Sequence, residues 1–173
     1  MRAYLIASAF LATVACSGGG EEKKAEEAPA ALAAGQWEVA SEVTAFRSTD
    51  KALPALKAAV GDKATSTACV EKGDEDKPEP ELFAGTGYEC KYRDTYFRRG
   101  RINASLSCER ESIEGEIMMN VEGSYTAAGF QGTVTATSFL RGEGDFAMTS
   151  KITGRKTADA CAPAAEKDAK KKA

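Results

Sequence analysis

Five cysteines and no histidine define the chemistry open to this chain of 173 residues. Cys16 stands apart from the other four. It follows Ala15 at the end of an apolar stretch, Ala3 to Val14, which is preceded by Arg2 and is too short to span a bilayer. A positive start, a short apolar segment and small residues before a cysteine make a bacterial lipoprotein processing signal, after which Cys16 becomes the lipidated first residue of an exported protein. Thr13 stands where leucine is usual, which leaves an ordinary secretory signal as the alternative.

Cys69, Cys90, Cys108 and Cys161 remain, an even set in a chain read as exported, and such a set implies two disulfides. Cys90 and Cys108 are equidistant from Arg99. A hairpin turning at Arg98 to Arg101 therefore pairs them, sets Tyr92 opposite Leu106 and Tyr96 opposite Ile102, and leaves Cys69 for Cys161. A four-thiolate zinc site is the competing use. No two of these cysteines have the close spacing of a zinc knuckle, so no metal is expected.

Without histidine the commonest general base is missing. There is no Gly-x-Ser-x-Gly elbow, phosphate loop or dinucleotide fingerprint. Carboxylate pairs such as Glu114/Glu116 and Glu143/Asp145 have the residue types for glycoside hydrolysis but read as charge on a solvent face. The acidic run Glu71 to Glu81 lacks the ordered ligand series of a calcium loop, and Pro78 and Pro80 favour an extended solvated loop there. An enzyme is not expected, nor is a cofactor. Arg98, Arg99 and Arg101 form a compact positive spot at a hairpin tip, a candidate contact for a protein partner or a phosphate headgroup.

Composition gives the frame that positions these groups. The formal charge of −3 becomes −4 once Arg2 leaves with residues 1–15, and this acidic balance argues against nucleic acid. Residues 16–34 read as a lipidated start and flexible tether, 35–161 as one β-rich domain, and 162–173 as a polar tail. Within the domain the apolar residues recur with period two. Trp37, Val39, Val43 and Ala45 share one parity; Tyr88, Cys90, Tyr92 and Tyr96 share another. Similar rows begin at Ile102, Ile113, Phe130 and Phe146, and Lys63 to Val70 reads as a further strand. Turns are expected at Arg99-Gly100, Glu109 to Ser112, Glu122 to Ser124 and Arg141 to Gly144. Asp50 to Val60 breaks the alternation with helical spacing of Leu53, Leu56 and Val60 behind a capping Asp50, and predicts one short helix. The fold class is thus all-β: an antiparallel meander forming a curved sheet or barrel-like domain, with one short helix and two disulfides.

Two segments carry a resemblance. Gly35-Gln36-Trp37-Glu38-Val39 opens the domain, and Gly154-Arg155 precedes the final Cys161. In these landmarks the chain resembles a family of small proteobacterial envelope proteins known as domain of unknown function 3617, over Gly35 to Cys161. It departs from the family in having Asp50 to Val60 where a Met/Pro-rich stretch is common, and in the spacing of its last cysteine. The resemblance implies a strand-rich body and supplies no activity and no catalytic residues to carry over.

The function expected is non-catalytic binding of a protein partner or an amphiphile in the periplasm, with acyl chains on Cys16 as the membrane anchor. Ser17, rather than Asp, after the anchor favours the outer membrane. For an amphiphile, the inward row Trp37, Tyr88, Tyr92, Leu106 and Met119 would line a cavity. The alternative is inhibition of a cell-wall hydrolase, in the manner of small disulfide-bearing lysozyme inhibitors.

Overall fold

A computed structural model describes residues 31–162. Seven antiparallel strands form one open sheet: β1 (Gly35–Ser48), β2 (Lys63–Val70), β3 (Glu89–Arg98), β4 (Arg101–Arg110), β5 (Ile113–Tyr125), β6 (Gly129–Leu140) and β7 (Phe146–Ala158). Their order across the sheet is β2-β1-β7-β6-β5-β4-β3. Short turns make β3 to β7 a meander, and β1 then pairs with β7 along nearly its whole length. The two edge strands, β2 and β3, do not pair with each other. The sheet is curved enough that the short helix α1 (Glu81–Ala84), the one helix among the described residues, touches both of them as well as β1. Leu82 and Phe83 on this helix enter the core.

Alternation dictates what is buried. On β4 and β5, Ile102, Ala104, Leu106, Cys108, Ile117, Met119 and Val121 face inward, and the residues between them face solvent. Leu32 is buried with them, and Trp37 Nε1 donates to the Ala33 carbonyl at 3.1 Å. The folded body therefore takes in the last residues of the stretch read as tether.

Two β-bulges shift the expected parity. In β3 the register changes between Tyr92 and Asp94, so Arg93 is the extra residue. Cys90 faces Cys108 and Tyr92 faces Leu106 as expected, but Phe97, rather than Tyr96, lies opposite Ile102. The reason is a mismatch between the ends of the hairpin. Arg99 and Gly100, with φ of 52° and 71°, form a two-residue turn that pairs Arg98 with Arg101. A two-residue loop cannot be centred on one residue, whereas the Cys90–Cys108 register is. One bulge absorbs the difference, burying Phe97 and leaving Tyr96 49% exposed. A shift between Val43 and Ala45 does the same in β1, exposing Ala45 and turning Phe46 toward the core.

The helix is not where periodicity placed it. Residues 50–60 form no helix, because Asp50 spends its carboxylate elsewhere. It accepts hydrogen bonds from Ser48 Oγ at 3.1 Å and from the N–H groups of Ala52 at 2.9 Å, Gly144 at 2.7 Å and Asp145 at 2.9 Å. The loop after β1 is thereby fastened to the turn between β6 and β7. Those donors hold the Asp50 pKa at about 2, the backbone N–H of Asp145 contributing most. A depressed carboxylate pKa contributes stability that is complete above the ordinary value near 3.8 and disappears as pH falls through about 2. Asp50→Asn is expected to lower the urea midpoint at pH 6, with the gap from wild type narrowing between pH 4 and pH 2. A gap that stays constant over that range would show that the charge is not what fastens the loop.

The stretch expected as an extended solvated loop is also more structured. Pro78 and Pro80 are buried, and Tyr92 Oη donates to the Pro78 carbonyl at 2.7 Å. The turn expected at Glu122 to Ser124 lies instead after Tyr125, because Gly123 and Gly132 are cross-strand partners whose backbones approach too closely for side chains.

Candidate functional site

The segments that carried the family resemblance meet in space. Glu38 lies opposite Arg155, and Val39 opposite Gly154, on the paired strands β1 and β7. Arg155 Nε and Nη2 both donate to Glu38 Oε1, at 3.0 and 2.6 Å, across the outer face. The pair is exposed and contributes little to stability. On the inner face the Phe130 ring lies so close to Gly154 that a Cβ there would overlap it. Phe130 stacks on Trp37, centroids 5.8 Å apart, and meets Phe83 edge-on at 5.3 Å. These motifs therefore build the core and a cross-strand contact.

The inward row of Trp37, Tyr88, Tyr92, Leu106 and Met119 is brought together in the core. Trp37, Leu106 and Met119 are at most 1% exposed. Tyr88 lies under the Arg110 guanidinium, 4.5 Å from the ring centroid; burial raises its pKa, and that positive neighbour opposes the shift. Burial also pushes the Tyr92 hydroxyl up, with Glu79 and Glu81 adding to the effect. Both disulfides form as paired by symmetry: Cys90–Cys108 with Cα atoms 4.1 Å apart and Cys69–Cys161 at 5.4 Å. Cys16 lies outside the described residues.

Arg98, Arg99 and Arg101 are exposed at the β3–β4 tip. Among the described residues none of them forms an ion pair. Arg99 holds a positive φ that favours glycine or asparagine. The tip lies at the end of the sheet where the chain enters, since the Tyr125 N–H donates to Gly100 and the Ala33 N–H to Ala127 of the neighbouring turn.

A further feature was missed in the sequence. At the opposite end, the outer face of β3 to β6 forms a groove of about 1170 Å³. The 59% exposed Phe139 supplies its apolar surface, Ile113 at its wall being only 7% exposed and part of the core, and Glu89, Glu109, Glu111, Glu114 and Glu116 line it along with Arg110 and Arg141. Ser107 Oγ donates to Glu116 at 2.6 Å. Glu89 and Glu109 are direct cross-strand partners, a like-charge pairing that works against the sheet. Of the carboxylates weighed for hydrolysis, Glu114 and Glu116 belong to this open groove. Asp145 instead accepts hydrogen bonds from Ser138 Oγ and the Leu140 N–H at 2.8 and 2.9 Å. In sequence these glutamates read as ordinary outward charge; only the cross-strand registers gather them.

No curated protein and no solved structure matches the chain. One family model does, over residues 32–161, from the buried Leu32 to the final disulfide cysteine. The chain thus belongs to the family described as protein of unknown function DUF3617.

Proposed function

We propose that this chain is a non-catalytic binding protein of the bacterial envelope, anchored through acyl chains on Cys16, that engages a protein partner with its outer surface. The observation that carries the reading is the filled interior. The aromatic and aliphatic row that would have to line an amphiphile cavity packs into the chain's own core, with Trp37 stacked on Phe130 and capped by Ala33. An interior occupied by the chain's own side chains leaves little room for a ligand, so recognition falls to the outer face. The export signal argues for the periplasm, and Ser17 for the outer membrane.

Palmitate labelling of wild type and Cys16→Ser tests the anchor: label is expected in the wild type alone, and equal label in both, or in neither, removes it. Photo-crosslinking residues at outer-surface positions in intact cells test the partner. A discrete adduct with an envelope protein is the expected result. No adduct, together with saturable uptake of a fluorescent fatty acid by the purified protein, would overturn the reading in favour of a carrier.

A further inference from the structure

We infer that the groove over β3 to β6 is the docking site for a basic, extended polypeptide segment of the partner, with an apolar side chain of that segment seated against Phe139. The inference rests on the protein-partner reading and deepens it.

Charge selects the occupant. Five glutamates line the groove against two arginines, and one of the two, Arg110, already lies over the Tyr88 ring. Among the described residues, Glu89, Glu109, Glu111 and Glu114 accept no side-chain hydrogen bond and enter no ion pair, so a cationic chain meets carboxylates without displacing existing partners. The direct pairing of Glu89 with Glu109 is a local repulsion that a bound cation relieves. An anionic or neutral oligomer would leave that repulsion in place. Phe139 supplies the apolar contact that ion pairing in water needs for useful affinity, since exposed charge pairs contribute little alone.

Shape and placement agree with this occupant. The groove crosses four strands instead of forming a pit, which suits an extended chain better than a compact ligand. It lies at the Ile113 end of β5, whereas the chain enters beside the turn that follows the other end of this strand. The 13 residues of β5 put about 40 Å between the two.

The test uses the full chain and two defined peptides, an alternating Lys/Phe heptapeptide and its Glu/Phe counterpart, with binding read by fluorescence anisotropy. The Lys/Phe peptide is expected to bind saturably and more weakly at higher salt. Glu111→Lys with Glu114→Lys, and separately Phe139→Ser, are expected to weaken it at least tenfold, while Lys72→Glu, in the loop before α1 and outside the groove, leaves it unchanged. All these side chains are exposed, and urea midpoints verify that each variant is folded. Equal binding of the Glu/Phe peptide, no binding of either, or indifference to the groove variants would overturn the inference. The protein-partner reading fails separately, when the peptide binds in the groove but no envelope protein crosslinks to the outer face. A crosslinked partner that maps away from the groove overturns this inference alone.

Discussion

Replacing Phe130 by alanine is expected to destabilise the domain by about 3–5 kcal/mol, the range for emptying a buried aromatic site. The ring is clamped between Trp37 and Phe83 and lies close against the bare backbone of Gly154, so its loss leaves a void that these neighbours do not readily fill. Gly154→Ala attacks the same contact from the other side. Its methyl group overlaps the ring and should cost about 1–3 kcal/mol, as overpacked cores do. The two changes are expected to be strongly non-additive, because in the Phe130→Ala background the new methyl enters space already vacated. Urea denaturation of both single variants and the double variant measures this. Simple additivity would mean that Gly154 acts through backbone conformation and not through the ring.

The second large effect concerns Cys69–Cys161, which joins residues 92 positions apart and ties β2 to the chain just beyond β7. Closing so long a loop in the unfolded chain contributes about 4–5 kcal/mol in the chain-entropy model, against about 3 kcal/mol for Cys90–Cys108 with its separation of 18. Cys69→Ala with Cys161→Ala is therefore expected to produce the larger fall in urea midpoint, although both of these cysteines are only partly buried whereas Cys108 is fully buried. A loss below about 1 kcal/mol would show that the bridge constrains little in the unfolded chain.

Much of the architecture was legible because half-buried strands write their burial into alternate positions. Trp37 and Val39, the row from Ile102 to Cys108, and the row from Ile117 to Val121 all face inward as their spacing requires. The Cys90–Cys108 register followed from a local hairpin. What failed was set by distant partners. Asp50 looked like a helix cap because its alternative donors, Gly144 and Asp145, lie some 94 residues away in sequence. The bulge at Arg93 reconciles a turn with a disulfide, and neither alone announces it. The carboxylate groove is assembled from four strands, so no single segment shows more than an ordinary charged face.

The pairing of β1 with β7 also dictates an order of events. The first strand made waits for the last, and a chain ending before Phe146 holds two fragments, β2-β1 and β3 to β6, that share no strand. Such distant pairing delays completion of the sheet until the last strand is available. Oxidation must respect the same timetable. Cys90 and Cys108 are brought together by a local hairpin, whereas Cys69 precedes them in the chain and has no native partner until Cys161 arrives. Early closure of the β3–β4 hairpin removes the two thiols with which Cys69 would otherwise mispair. The short-range bridge thus protects the long-range one, and a chain lacking either Cys90 or Cys108 should accumulate the wrong disulfide to Cys69 while its last strand is still missing.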